Sequence, residues 1–261
     1  MKLQINGMPV KAKNGQTILE VCRENGVDIP TLCHMPGLPP SGACRICVVE
    51  VEGRPNLVAS CAYPAEEGMK VKTNSARVRH ARKAVVQLLL ANHKQECASC
   101  IRNGNCELEQ LARQTGVRDV PYTGEVRQAN KDVSNPSIVR DPEKCILCGR
   151  CVRACEEIQA VGAIDFTSRG FSTLVLPAFD DGLNVTECVN CGQCVMACPT
   201  GALHERTSIG DVWNAIEDPD KVVIFQHAPA ISVSIGEEFG INGRGDLTDK
   251  LSSAFRQMGA D

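Results

Sequence analysis

The sequence predicts an α+β chain of several small domains, and three observations predict it. Short runs that alternate apolar and polar residues, such as Leu3 and Ile5 or Val48 to Glu52, mark half-buried strands. Longer segments with apolar residues three and four apart, above all between Ser75 and Asn92, mark amphipathic helices. Sixteen cysteines among 261 residues fall into spaced sets, so the domains are organised around thiols as much as around apolar cores.

Composition excludes several classes. The length suffices for two or three small domains, while aromatic residues make up only 3% of the chain, so bound metal is expected to do part of the ordering. A formal charge of −3, with both signs mixed along the chain, gives no case for nucleic acid. Arg77 to Lys83, the stretch richest in basic residues, reads as the wet face of a helix. The apolar run from Ala84 to Ala91 is broken by Gln87 and is too short to cross a bilayer. No charged start followed by an apolar stretch and a cleavage site opens the sequence, so a reducing cytoplasm is expected and an eight-disulfide scaffold is not.

Residues 1–75 read as a β-rich domain. Asn6-Gly7 is a strong hairpin turn after Leu3 and Ile5, and Val10 to Lys13 can return as the partner strand. Thr17 and Glu20 have capping-box spacing for a short helix that ends at Asn25-Gly26. Cys22 within it reads as a small buried hydrophobe. Cys33, Cys44, Cys47 and Cys61 then follow as C-x10-C-x2-C-x13-C, with the first three on one loop rich in Pro and Gly. Four thiolates on a strand-helix-strand scaffold suit a [2Fe-2S] rhomb, as in plant-type ferredoxins, although the first spacing is longer here.

Residues 76–136 read as a helical segment and a link. Val78, Ala81, Val85, Leu88 and Leu89 form one apolar stripe, with Arg77, Arg79, Arg82 and Lys83 mostly elsewhere. After the helix come His93, Cys97, Cys100 and Cys106 as H-x3-C-x2-C-x5-C. Taken alone this pattern suits structural zinc as well as a [4Fe-4S] cluster. Glu107 to Gln114 is a short helix, and Thr115 to Pro136 is irregular.

Residues 137–206 carry an internal repeat. Cys145, Cys148, Cys151 and Cys155 form C-x2-C-x2-C-x3-C, and Cys188, Cys191, Cys194 and Cys198 repeat it 43 positions on. In two-cluster ferredoxins the fourth cysteine of each run ligates the other cube. One [4Fe-4S] set is therefore Cys145, Cys148, Cys151 and Cys198, and the second is Cys188, Cys191, Cys194 and Cys155. Gly149 and Gly192 stand where a loop wrapped round a cube needs positive φ. Ala163 to Phe166 and Ser172 to Leu176 are candidate strands, and a helical turn after Pro199 leads into Ala202 to Glu205. Glu156 and Glu157 read as a solvated helix start. Glu156 also follows Cys155 where Pro199 follows Cys198, so the two exits differ.

Residues 207–261 contain a helix near Asp211 to Glu217, a buried strand at Val222 to Phe225, and a last helix with Leu247, Leu251, Ala254, Phe255 and Met258 on its apolar face, ending at Gly259. Arg244-Gly245-Asp246 reads as a turn before that helix, and His227 as a structural residue. One strand among helices cannot bury both faces of a sheet, so this piece leans on something else.

Ile29-Pro30-Thr31-Leu32-Cys33 and the order of the four cluster motifs resemble the large iron-sulfur subunit of respiratory complex I and the [FeFe]-hydrogenases. Val222 to Ala230, followed by Gly236 to Gly240, is similar to the opening of the hydrogenase catalytic domain. The resemblance implies a β-grasp [2Fe-2S] domain, a [4Fe-4S] cluster on His93, Cys97, Cys100 and Cys106, a two-[4Fe-4S] ferredoxin-like domain, and a truncated α/β remnant that serves for docking. No cysteine follows Cys198, so the ligands of the hydrogenase's own active-site cluster are not in this sequence. No G-x-G-x-x-G after a strand, Walker loop or serine triad context is present either, so no catalytic residue is expected. The resemblance thus implies one [2Fe-2S] and three [4Fe-4S] clusters in an electron-transfer subunit of a hetero-oligomer. Its partners would be NAD(P)H-binding flavoprotein subunits that carry the flavin and the nucleotide, with ferredoxin as redox partner. The nearest type is an electron-bifurcating, Sporomusa-type NAD/NADP-ferredoxin transhydrogenase; the alternatives are the first part of an NAD-linked [FeFe]-hydrogenase and, after it, a redox-sensing module.

Overall fold

A computed structural model describes residues 1–241 and 245–261. The chain divides into two units, residues 1–206 and 207–261.

In the first unit β1 (Lys2–Ile5) and β2 (Met8–Lys11) form an antiparallel hairpin in which Ile5 faces Met8. Asn6 and Gly7 take φ of 51° and 84°, the paired positive values of a tight hairpin turn. The return strand starts two residues earlier than the alternation of Val10 to Lys13 suggests, because the two-residue turn fixes the register. Helix α1 (Ile18–Glu24) starts with the capping box of Thr17 and Glu20, worth about 1 kcal/mol. Three further strands complete the sheet: β3 (Val48–Val51), β4 (Val58–Ala59) and β5 (Lys70–Lys72), in the order β2-β1-β5-β3-β4. Ile5, Ile18, Leu19, Val49 and Val71 fill the core between sheet and helix, together with Cys22, whose thiol burial pushes up to about 11. The short strands β4 and β5 carry too few alternating residues to show in the sequence.

Helix α2 (Ala76–Ala91) begins at Ser75, whose hydroxyl accepts from the Val78 N–H. Its buried face is Val78, Arg82 and Val86, whereas Leu88, expected on that face, is exposed. Arg82 was expected outside. Its spacing of four from each valine puts it in the middle of the stripe, where Nε donates to Ile46 O at 3.0 Å and Nη2 to Val48 O at 2.9 Å. Helix α3 (Glu107–Gln114) joins α2 through a second core of Leu32, Ile46, Val86 and Leu111, with Cys44 and Ile146 against it.

The repeat region holds β6 (Ile138–Arg140), paired antiparallel with β9 (Leu203–Glu205), and the hairpin of β7 (Asp165–Thr167) and β8 (Leu174–Leu176). Helices α4 (Arg150–Arg153) and α5 (Gln193–Ala197) are the repeated pieces. They end differently. After α4 the chain continues in a wider turn, Ala154–Ile158, whereas Cys198 leaves α5 at φ −71°, ψ 122°. A residue before proline is driven out of helical backbone, so Pro199 sets this exit.

In the second unit α6 (Ile209–Ile216), α7 (Pro229–Glu238) and α8 (Thr248–Met258) form a small helical group. The expected buried strand Val222 to Phe225 is absent: the segment belongs to no sheet, and Val222 and Ile224 are 76% and 82% exposed. A single β-branched run with no partner strand has no ladder to join. Phe225 stacks on Phe255 of α8 at 4.8 Å, and the His227 ring lies 6.2 Å from the same phenyl. The turn expected at Arg244-Gly245-Asp246 falls partly outside the described residues. Among the described residues no helix is long and apolar enough to cross a membrane.

Candidate metal centres

The first set is positioned by the loop that runs from α1 into β3. Cys47 stands at the foot of β3, and Ser60 ties it to the next turn by donating from Oγ and N to Cys47 O at 2.8 and 3.2 Å. Cys61 Sγ thereby lies 3.4 Å from Cys47 Sγ. At the other end Cys33 Sγ accepts the Cys44 N–H at 3.5 Å. The thiols pair two and two, an arrangement that fits two metals bridged side by side, each with two protein sulfurs. A hydrogen bond from Cys44 holds the Cys33 thiol below its ordinary range, and one from Cys61 does the same for Cys47. Arg45, between Cys44 and Cys47, takes φ 58°, a costly value for a long side chain that the loop imposes. The Arg82 guanidinium binds the carbonyls on either side of Cys47 from below.

The repeated motifs have the same loop geometry. Leu147 and Gly149 take φ of 53° and 76°, and Asn190 and Gly192 take 57° and 71°. Both expected glycines therefore use positive φ, and the residue two before each does so without being glycine. Cys145, Cys148, Cys151 and Cys198 line one cavity, walled by Val175, Ala202 and Leu203. Burial first, and Cys198 among the neighbouring thiols, push all three of the others up. Cys155 stands with Cys188 and Cys191 among the groups acting on Cys194. Each motif's fourth cysteine thus keeps company with the other motif's first three. Burial pushes the Cys148 and Cys194 thiols up to about 12 and Cys151 well above its ordinary value, so bound cations are needed to hold these sulfurs as thiolates.

The third segment is looser. His93 follows the end of α2, and burial, then the Lys144 charge, lowers its pKa and keeps the imidazole neutral, the form that binds metal. Its Nδ1 is buried without a hydrogen-bond partner. Burial first, and the neighbouring Cys100 to a lesser degree, push the Cys106 thiol up, while Cys97 is exposed. This segment docks on the end of α5: Arg102 Nη2 donates to Cys198 O at 2.6 Å and the Glu107 N–H to Pro199 O at 3.0 Å.

Among the described residues no three His, Cys, Asp or Glu side chains close on a point that would hold one ion. Cys145, Cys148, Cys151 and Cys198 line a space instead, which suits a polynuclear cluster better than a zinc with sulfurs about 2.3 Å away. Sequence reasoning missed Arg82 and Gly201. A Cβ on Gly201 would lie 2.8 Å from Cys100 Sγ, so this glycine admits the third segment. The spacing of Arg82 from Val78 and Val86 could have shown the first; nothing in the sequence marks the second.

Three family models match successive parts of the chain. Residues 1–76 match the family described as 2Fe-2S iron-sulfur cluster binding domain, residues 82–121 the NADH-ubiquinone oxidoreductase-G iron-sulfur binding region, and residues 144–202 the 4Fe-4S dicluster domain. The NADP-reducing hydrogenase subunit HndD of Solidesulfovibrio fructosivorans is 45% identical over 267 residues, which take in 100% of this chain and 46% of that protein. Iron hydrogenase 1 of Clostridium pasteurianum is 37% identical, over 98% of this chain and 45% of its own length. The chain spans less than half the length of these two relatives. A crystal structure of NAD+-reducing [NiFe]-hydrogenase in the H2-reduced state superposes with TM-score 0.74 at 32% identity, covering 79% of this chain and 88% of that one.

Proposed function

Because the chain belongs to the iron-sulfur region of subunits of the NADH-quinone oxidoreductase G and NAD-reducing hydrogenase type, we propose that it is the electron relay of a flavin-containing, NAD(P)-linked complex. Its ligands are Cys33, Cys44, Cys47 and Cys61 for a [2Fe-2S] group, and three [4Fe-4S] sets: His93, Cys97, Cys100 and Cys106; Cys145, Cys148, Cys151 and Cys198; and Cys188, Cys191, Cys194 and Cys155. The domains run 1–75, 76–136, 137–206 and 207–261. An iron-sulfur cluster, when bound, supplies a one-electron carrier.

The protein's own residues do three things. Thiols and one imidazole hold the metals; Val175, Ala202 and Leu203 give the Cys145 set an apolar wall; and the packing fixes which sets are neighbours. Ile146 shares a core with Leu32 and Ile46, so the first set adjoins the Cys145 set, and the contacts of Arg102 and Glu107 bring the His93 segment to it as well. The observation that carries the proposal is this meeting of two ligand segments on the Cys145 set, whose cysteines are in turn interleaved with those of the Cys188 set. Hydride chemistry belongs to a flavoprotein partner, because no nucleotide motif is present here.

The finer reading is an electron-bifurcating complex that couples NAD(P)H to ferredoxin. Purification of the native complex tests both levels. The chain alone should contribute about 14 iron atoms; a flavin partner should reduce it within turnover time, and ferredoxin reduction by NADH should require a second acceptor. A native complex without a nucleotide-oxidising partner would sink the proposal. Ferredoxin reduction that needs no second acceptor would remove bifurcation alone. A second reading, the relay half of a hydrogenase, is favoured by the 46% and 45% coverage of two hydrogenase relatives; hydrogen evolution by the native complex decides it.

A further inference from the structure

Arg150 stands where three ligand segments meet. It directly precedes Cys151. Its Nη1 donates to Glu107 Oε1 at 2.7 Å, one residue beyond Cys106, and to Leu32 O at 3.5 Å, one residue before Cys33. The side chain is only 18% exposed, and Nε is buried with no partner. Glu107 therefore meets one edge of the guanidinium and leaves another facing the interior.

The repeat supplies an internal control. At the equivalent place 43 residues on stands Gln193, which is exposed, although its loop has the same pair of positive φ values. The loop fold does not demand an arginine. Arginine keeps its charge under all ordinary conditions, so it acts on its surroundings as a fixed positive source. In a partly dry interior such a charge favours whichever redox state is more negative.

We propose that Arg150 is a positioning residue that joins the three segments and raises the reduction potential of the group held by Cys145, Cys148, Cys151 and Cys198. This rests on the iron-sulfur reading given above.

The test is an EPR-monitored redox titration of the anaerobically reconstituted full chain as wild type, R150Q, R150K and E107Q. R150Q should keep its iron while the reduction equilibrium of that group falls about tenfold, equivalent to about 59 mV for a one-electron couple. R150K should restore most of the shift, because it returns the charge without the fork. E107Q should move the potential the other way, since it removes a negative charge and leaves the arginine. A purely structural clamp would make R150Q and E107Q shift alike or not at all, and either result overturns the proposal. If R150Q loses iron, E107Q decides: a raised potential supports the proposal, and an unchanged one overturns it. A wild-type chain that binds no iron overturns the underlying reading instead.

Discussion

The two halves of the cysteine repeat have one loop geometry and two environments. Ile146, Arg150 and Arg153 of the first motif are at least partly buried, and Ile146 joins the core shared with the N-terminal domain. Their counterparts 43 residues on, Val189, Gln193 and Met196, face outward, with Val189 64% and Met196 75% exposed. Cys191 is exposed while its counterpart Cys148 is half-buried, and Cys194 is half-buried while its counterpart Cys151 is buried. Loop shape is thus set by the metal-binding pattern, and the surroundings by place in the unit. The difference teaches that the same loop can be packed into the chain in one copy and left on the surface in the other.

The largest expected effect exploits the interleaving. C198S should abolish the EPR signal and iron of the first motif's cluster, although Cys198 belongs to the second motif by sequence. C155S should do the reverse. Each variant should lose about four iron atoms on anaerobic reconstitution and keep the rest. If C198S instead strips the cluster of Cys188, Cys191 and Cys194, each motif closes on itself and the comparison of an inner with an outer set collapses.

Much of the local structure was legible because turns, caps and repeated cysteine loops are rigid in spacing. The capping box of Thr17 and Glu20, the Asn6-Gly7 turn, and the positive φ at Gly149 and Gly192 follow from local chemistry, which sequence records directly. What failed to show depends on neighbours distant in sequence. Val222 to Phe225 reads as a strand only if another strand is there to pair with it, and among the described residues of the second unit none is. Arg82 reads as a solvent residue by type. It is buried because the carbonyls of Ile46 and Val48, more than thirty positions away, present themselves as acceptors. Gly201 is needed only because Cys100 comes close to it, and no local pattern records that.

The braces behind the two loops differ in chemistry, which gives a smaller and pH-dependent contrast. Asp132 supports Arg140, a wall of the first cavity: its carboxylate accepts from Arg140 Nη2 at 3.2 Å, the Ser134 N–H at 2.9 Å and the Leu183 N–H at 3.1 Å. Burial opposes its charge, but these hydrogen bonds prevail and hold its pKa below the usual carboxylate value. A depressed folded-state pKa contributes stability that is present above the unfolded value, about 3.9, and is lost as pH falls through the folded one. The second loop is braced by an uncharged pair, Asn135 Nδ2 donating to Asn190 Oδ1 at 2.7 Å. D132N should cost about 2 kcal/mol at pH 7, with the gap from wild type closing below about pH 4. N135A, which also removes the acceptor of the Ser137 and Ile138 N–H groups, should cost about 3 kcal/mol at both pH values. Urea unfolding at pH 7 and pH 3.5 measures both; a D132N penalty that does not shrink with acid would remove the charged brace.

The smallest effect separates the loops at their shared glycines. Gly149 and Gly192 have nearly the same φ, 76° and 71°, so alanine at either pays the left-handed penalty of about 1 kcal/mol. Only Gly149 has a neighbour in the way: a Cβ there would meet the Phe166 ring at 3.2 and 3.3 Å, whereas one on Gly192 meets nothing within 4 Å. Phe166 lies on β7 and is 44% exposed, so its ring can yield, which keeps the extra cost near the low end for overpacking, about 1 kcal/mol. G149A should therefore unfold at a lower urea concentration than G192A. The F166A background should bring the two midpoints together, since it removes the obstacle and leaves the backbone term. Equal midpoints already in the wild-type background would mean that the β7–β8 hairpin does not press on the first loop, and that the inner motif owes its burial to the N-terminal domain alone.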